Sequence, residues 1–212
     1  MTRFSKRFFQ LPTLVVARRL LGQRFVYDSI DGRIAGRIVE VEAYLSENDP
    51  ACHAARGVTR RNQTMFGPPG RLYVYAIHSR YCMNVVTEPS GFGAAVLIRA
   101  IEPEDGMEIM QRNRPVDSVR ELTNGPGKLC QAMGINTTLD GHCLWESDTM
   151  WIERVDSRVD FTVQTSTRIG LSQAKELELR FFIDGHQYVS GRASDHSIAR
   201  NWCWNESNKC RS

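Results

Sequence analysis

The chain has 212 residues, a mass of 24.1 kDa, 42% hydrophobic and 24% charged residues, and a formal net charge of +3. This composition is typical of a packed globular protein of about one domain, and it excludes a wholly disordered chain. No apolar run approaches the roughly 20 residues that cross a bilayer, and the first ten residues lack the apolar stretch of a secretory signal, so we expect an intracellular protein without a membrane span.

The elements predicted along the chain mix short helices and strands without a repeating βαβ unit. Helices are predicted over residues 12–21, 103–112 and 126–133, and strands over 25–28, 33–44, 72–77, 94–101, 150–154, 179–183 and 188–190. Residues 45–70 read as a long loop rich in glycine and proline, and such loops in compact domains usually carry function. The pattern predicts an α+β fold, a single compact domain with a curved, mostly antiparallel sheet and short flanking helices.

The strand over residues 33–44 carries two acids. Strand alternation places Ile38, Glu40, Glu42 and Tyr44 on one face and Val39, Val41 and Ala43 on the other. The polar face is either a solvated sheet surface or a site in which a carboxylate acts as a general base. The second interpretation is favoured by Tyr44, which leads directly into a basic loop containing His53.

Arg99 lies in a predicted strand that is otherwise almost wholly apolar. Burying an unpaired guanidinium is costly, so we expect a carboxylate partner from a neighbouring strand, with Glu42 as the choice. The alternatives are a purely structural ion pair and an arginine at the strand end that reaches solvent.

Two tyrosines, Tyr73 and Tyr75, share a strand face next to arginines. This arrangement suits base stacking beside phosphates, although tyrosines in strands are more often core residues. Asn84 is a polar residue in an apolar stretch and a possible hydrogen-bonding group of a pocket.

Basic and acidic residues are distributed unevenly. Residues 1–27 hold six bases and no acid, residues 50–87 hold five bases and no acid, and residues 101–160 hold six bases against twelve acids. Such segregation creates a positive face, which either binds a phosphate backbone or is only a solvated surface.

The cysteines form no C-x-x-C pair, which argues against a structural zinc site. Without a secretion signal, we expect buried free thiols rather than disulfides. The six are Cys52, Cys82, Cys130, Cys143, Cys203 and Cys210.

Taken together, these segments resemble the alkyladenine (3-methyladenine) DNA glycosylase family, in order, from about residue 10 to residue 193. His53 is one of the matching residues. The matching segments are GRIVEVEAY at 36–44, RRNQTMF at 60–66, PGRLYVY at 69–75, CMNV at 82–85, VLIRAIEP at 96–103, NGPGKLCQA at 124–132, RIGL at 168–171 and LRFFI at 179–183.

The resemblance implies a monofunctional glycosylase that flips a damaged purine out of duplex DNA and hydrolyses its N-glycosidic bond, without cofactor, metal or lyase step. Glu42 matches the acid that activates the attacking water, and Arg99 and the backbone carbonyl of Ile169 match the groups that hold it. The aromatic pocket for the flipped base corresponds to Tyr44, His53 and Tyr75, with Asn84 as a selectivity residue.

The resemblance breaks down in the segment after Tyr75. The family places a tyrosine wedge, which fills the space of the flipped nucleotide, three residues later; here His78 stands at that position and the segment is one residue shorter. His78 is therefore expected to intercalate, with Ile77 and Tyr81 as alternatives.

The expected partner is double-stranded DNA with damaged purines, bound by a monomer, with no membrane involved. Arg60, Arg61 and Lys128 are the expected contacts to the DNA backbone. We expect a glycosylase domain over residues 1–195 and a tail of unknown role over 196–212. Two other functions stay open: a DNA-binding relative with weak or lost catalysis, and a hydrolase of free nucleosides.

Overall fold

The computed structural model describes residues 2–155 and 161–191. The described part forms one antiparallel sheet of nine strands with four short α-helices. The helices are α1 (Lys6–Phe9), α2 (Thr13–Leu20), α3 (Met107–Asn113) and α4 (Pro126–Met133). The strands are β1 (Thr2–Arg3), β2 (Arg24–Ser29), β3 (Gly32–Tyr44), β4 (Leu72–Ile77), β5 (Arg80–Val86), β6 (Ala95–Asp105), β7 (Met150–Arg154), β8 (Val163–Ser166) and β9 (Arg180–Ile183).

The sheet is built around the long strand β3. The strand order is β1-β7-β2-β3-β6-β5-β4, and β9, which also pairs with β8, lies beside the second half of β3. The first half of β3 pairs with β2, while its other edge pairs with β6 along most of its length. Because β2 and β9 share one edge of β3 in succession, the sheet curls into a half-barrel.

Register shifts in the β3–β6 pairing bend the sheet. They fall between Ala35 and Gly36 and on both sides of Glu40. At the first shift Gly36 faces Pro103, and a Cβ on Gly36 would lie 2.4 Å from the Glu102 carbonyl oxygen, so only glycine fits. Bulges of this kind increase the local twist of a sheet.

The main hydrophobic core lies between the sheet and helices α2 and α4, which pack against β3 and against β5 and β6. A second, smaller cluster lies under residues 45–70 and consists of Cys52, Met65, Tyr73, Val86 and Ala95. The loop over residues 45–70 contains two 3₁₀ helices, His53–Arg56 and Gln63–Phe66. It is therefore an ordered wall on one side of the sheet.

The predicted α+β fold with a curved antiparallel sheet is confirmed. The helix predicted from residue 103 is wrong at its start, because residues 103–105 continue β6 and α3 begins only at Met107. Pro103 is tolerated in a strand because it lies at a bulge. The strand predicted over 188–190 is wrong: these residues form a turn and a bend that bring Ser190 to the buried Glu40.

Other differences are smaller. Strand β5 was not predicted, and Ile38 packs into the main core with Val39 because the bulge before Glu40 breaks strict alternation. Among the described cysteines, Cys52, Cys82 and Cys130 are buried free thiols and Cys143 is a half-buried one. The predicted tail, with Cys203 and Cys210, lies outside the described residues. Within residues 2–155 and 161–191, no helix combines the length and apolar character that crossing a membrane requires.

Candidate active site

Glu42 is a fully buried carboxylate near the end of β3. Its Oε1 accepts a hydrogen bond from the Ile169 amide at 2.8 Å and lies 3.1 Å from Nη1 of Arg99. Its Oε2 accepts a hydrogen bond from the Tyr44 hydroxyl at 2.9 Å. The interpretation of this face as a solvated sheet surface is therefore excluded.

Glu40, two residues earlier, is also fully buried but has different surroundings. It accepts from Arg99 Nε at 2.9 Å, Arg180 Nε at 2.7 Å, the Ser190 hydroxyl at 2.8 Å and the Ser190 amide at 2.6 Å. A carboxylate offers about four acceptor positions, so Glu40 is saturated. Glu42, with three contacts from described residues, keeps one position for a further donor.

Arg99 is held in one orientation by three groups. Its Nε donates to Glu40, its Nη2 donates to the Ser190 hydroxyl at 3.2 Å, and its Nη1 faces Glu42. The predicted pairing with Glu42 is thus present, together with a second carboxylate that the sequence did not assign. Burial opposes the charge of the guanidinium, but Glu42 and Glu40 outweigh it and raise the pKa of Arg99.

Ile169 contacts the site through its backbone. Its amide binds Glu42, and no donor from the described residues reaches its carbonyl, while its side chain is 40% exposed. The preceding Arg168 anchors this segment: it forms a bidentate ion pair with Asp49 at 2.6 and 2.7 Å and donates to the Ala43 carbonyl at 3.0 Å. Its guanidinium also lies 4.6 Å from the centre of the Tyr44 ring.

Next to this pair lies what we call the aromatic pocket. It is lined by Tyr44, His53, Met65, Tyr73, Tyr75 and Asn84. The family resemblance had assigned four of these residues to the pocket, whereas Met65 and Tyr73 had not been assigned to it. The strand alternation that pairs Tyr73 with Tyr75 was the available signal for Tyr73.

The aromatic pocket is closed in this structure. The rings of His53 and Tyr75 meet edge to face with centroids 4.6 Å apart, and those of Tyr73 and Tyr75 are 5.4 Å apart. His53 Nδ1 and the Tyr73 hydroxyl share a hydrogen bond of 2.9 Å, and Asn84 donates to the Tyr73 carbonyl at 3.0 Å. The remaining cavity of about 10 Å³ holds about one water molecule, so a purine enters only after the rings separate.

Burial sets the ionisation of the pocket side chains. It raises the pKa values of Tyr44, Tyr73 and Tyr75, and the Glu42 carboxylate raises that of Tyr44 further, so these phenols stay protonated. Burial, followed by the charges of Arg61 and Arg56, lowers the pKa of His53 below its ordinary value of 6.5. The pocket therefore presents neutral rings near neutral pH.

The hairpin of β4 and β5 carries the expected wedge. His78 and Ser79 form its two-residue turn, and both have positive φ angles of 45° and 63°, as the favoured hairpin turns require. By alternation Ile77 lies on the face of Tyr75, and it is 44% exposed. Tyr81 pairs with Ala76 and packs against the main core, which leaves it poorly placed to intercalate.

The three expected backbone contacts lie in different surroundings. Arg60 and Arg61 are exposed in the loop before the second 3₁₀ helix. Arg61 donates to the Ala76 carbonyl at 2.6 Å, whereas Arg60 has no polar partner among the described residues. Lys128, in the first turn of α4, donates to Asn124 at 2.9 Å and lies 3.7 Å from Glu121.

The site has no obvious place for a metal ion. In the part of the chain that the structure describes, no group of three or more histidine, cysteine, aspartate or glutamate side chains is arranged to hold one. The acid–base chemistry available here is that of Glu42 and its partners.

Comparison with known proteins agrees with this geometry. The family model for methylpurine-DNA glycosylase matches residues 7–187. Proteins named "Putative 3-methyladenine DNA glycosylase" from Chlorobaculum tepidum and Methanocella arvoryzae are 46% and 47% identical over 192 and 191 residues. The first alignment covers 90% of this chain and 91% of the relative, and the second covers 88% and 94%.

Proposed function

This chain belongs to the methylpurine-DNA glycosylase family and is a DNA glycosylase, a hydrolase of base excision repair; within that function we propose that it flips alkylated or deaminated purines out of duplex DNA and hydrolyses them from the sugar with a water activated by Glu42. The proposed substrates are purines of the 3-methyladenine, hypoxanthine and ethenoadenine class.

One observation carries the proposal: of two buried carboxylates on one strand, only Glu42 is hydrogen-bonded to a side chain of the aromatic pocket and keeps an acceptor position. The Tyr44 hydroxyl links it to the pocket, and Arg99 and Ile169 fix its orientation. A general base needs such a free position within reach of the proton that it removes.

The reaction needs one bond made and one broken. A water bound by Glu42, Arg99 and the Ile169 carbonyl attacks C1′ of the flipped nucleotide and gives its proton to Glu42. The C1′–N9 bond breaks, and its electron pair leaves with the purine. An alkylated cationic purine leaves as a neutral base, whereas hypoxanthine needs protonation as it leaves.

The neutral aromatic rings of the pocket are suited to stacking on the flipped purine. We assign Tyr44, His53 and Tyr75 to stacking, which for electron-rich rings adds cation–π attraction when the purine is cationic. Asn84 lines the pocket and acts in selectivity. The turn at His78 and Ile77 enters the stack that the purine leaves.

The residues of the site also bear on lyase activity towards DNA, on the oligomeric state and on DNA binding. No lysine lines the described pocket, which supports the proposal that the enzyme is monofunctional and forms no Schiff base. The proposed reaction needs no group from a second copy, and we propose that the enzyme acts as a monomer. Arg60 and Lys128 bind the phosphate backbone. Arg61, which the sequence assigned to the same role, is held by the Ala76 carbonyl and contributes its positive charge beside the aromatic pocket.

The test is Glu42→Gln. The amide is nearly isosteric and cannot take the water's proton, so single-turnover excision of hypoxanthine from a duplex should fall by about 10²–10⁴-fold or more while duplex binding is kept. Glu47→Gln makes the same change on an exposed loop residue five positions later and should leave excision unchanged.

Excision by Glu42→Gln within tenfold of wild type would overturn the role of Glu42. A wild-type protein that binds lesion duplexes without cleaving any would instead indicate a relative that has lost catalysis. Activity on inosine without activity on duplex DNA would indicate a hydrolase of free nucleosides.

A further inference from the structure

Arg61 connects the loop over residues 45–70 with strand β4, and both of these segments supply side chains to the aromatic pocket. It belongs to the loop that supplies His53, and its Nη2 donates to the carbonyl of Ala76 on β4, next to Tyr75. Its guanidinium carbon lies 5.6 Å from the centre of the Tyr75 ring. It also lines an open cavity of about 420 Å³ that His53 and Tyr73 border.

The charge of Arg61 is not neutralised by a neighbour. Within residues 2–155 and 161–191, no carboxylate lies within 4.0 Å of its guanidinium. Asp140, an acid close enough to influence Tyr73, accepts instead from the Val74 amide at 2.9 Å and the Thr64 hydroxyl at 2.7 Å. After burial, the charge of Arg61 is the next largest cause of the lowered pKa of His53.

We propose that Arg61 biases lesion specificity by placing a positive charge beside the stacking ring Tyr75, which disfavours cationic alkylated purines relative to neutral deaminated ones. The inference rests on the proposed function. A purine stacked on Tyr75 lies about 3.5–4 Å from a ring whose centre is 5.6 Å from the Arg61 guanidinium carbon, so a cationic purine and the guanidinium repel each other. A neutral purine such as hypoxanthine does not experience this repulsion.

The size of the effect follows from Coulomb's law. Two like charges about 8 Å apart at a solvated surface repel enough to change a rate or an affinity about threefold. Because Arg61 is exposed to water, solvent screening keeps the expected effect at about threefold.

The experiment compares two duplexes of identical sequence, one with 7-methylguanine, which is cationic in DNA, and one with hypoxanthine. Single-turnover excision is measured at saturating enzyme for the wild type, Arg61→Gln, Arg61→Lys and Arg60→Gln. Arg60→Gln removes a neighbouring exposed charge that does not contact the pocket, and it controls for a general loss of DNA attraction.

The ratio of 7-methylguanine to hypoxanthine excision should rise about threefold in Arg61→Gln and stay at the wild-type value in Arg61→Lys and Arg60→Gln. Equal ratios in Arg61→Gln and Arg60→Gln would overturn the inference. So would a rise in Arg61→Lys equal to that in Arg61→Gln, because the contact to Ala76 and not the charge would then be responsible. A wild type that removes neither base would overturn the proposed function and this inference with it.

Discussion

Glu40 and Glu42 have the same side chain on the same strand, and their neighbours separate their roles. Burial opposes ionisation of Glu40, but Arg99, Arg180 and the Ser190 amide outweigh it and lower its pKa. Glu40 thereby neutralises two guanidinium groups and positions Arg99 against Glu42. It acts through Arg99 and has no free position for a water.

We predict that Glu40→Gln mainly lowers stability and that Glu42→Gln mainly lowers excision. Glu40→Gln removes the shared counter-charge of two buried arginines and should lower the free energy of unfolding by about 3–5 kcal/mol, with a smaller loss of excision. Glu42→Gln leaves Arg99 paired with Glu40, so it should lose excision with less loss of stability. Urea unfolding and single-turnover excision measure both, and the same pattern in both variants would contradict this division.

His53 gives a prediction about pH. Because its pKa is lowered in the folded state, the unfolded state takes up a proton first as the pH falls below about 6.5, and stability falls with it. Above that pH the imidazole is neutral in both states and the dependence vanishes. His53→Phe keeps a ring but cannot titrate, so the difference in unfolding free energy between the wild type and this variant should shrink from pH 7.5 to pH 5.5. A constant difference over that range, measured by urea unfolding, would show that His53 is not shifted.

At the scale of elements, the hairpin tip decides which side chain enters the DNA. Ile77 shares the face of Tyr75 and is exposed, while His78 occupies the turn itself. We predict that Ile77→Ala lowers the flipped fraction of an ethenoadenine duplex more than His78→Ala, and that His78→Tyr raises it through a larger stacking surface. Ethenoadenine fluorescence measures the fraction, since stacking in the helix quenches it. An unchanged flipped fraction in all three variants would show that the hairpin tip does not take part in base flipping.

The sequence predicted the elements whose pattern is local. Strand β3 and the Glu42–Arg99 pair followed from alternation and from the cost of an unpaired buried guanidinium. Strand β5 was missed because both of its faces are buried, which removes the alternation that marks a strand. The role of Glu40 depends on Arg180 and Ser190, which only the folded chain brings to it.

At the scale of the whole molecule, folding changes the charge distribution that the sequence shows. Arg24 contacts three acids of the acidic segment, Glu104 at 2.8 Å, Glu153 at 2.9 Å and Asp105. Arg3 likewise pairs with an acid of that segment. By contrast, among the described residues no arginine of segment 50–87 has a carboxylate within 4.0 Å. Segment 50–87, which supplies most of the aromatic pocket, therefore keeps its positive charge uncompensated. Among the described residues, Lys6, Arg7, Arg18 and Arg19 of the first segment also have no carboxylate within 4.0 Å.

This distribution predicts which arginines govern the salt dependence of DNA binding. Each phosphate contact contributes about 0.9 to the slope of log K against log salt concentration. In the Glu42→Gln background, which prevents turnover, Arg60→Ala should flatten the slope by about that amount, and Arg60→Ala with Arg61→Ala by about one to two units. Arg24→Ala removes the same charge from the sequence, but that charge is already paired with three acids, so the slope should not change while the free energy of unfolding decreases. Fluorescence anisotropy of a labelled lesion duplex across a salt series measures each slope. A slope flattened equally by Arg24→Ala and Arg60→Ala would show that net charge, and not the position of the free arginines, governs binding.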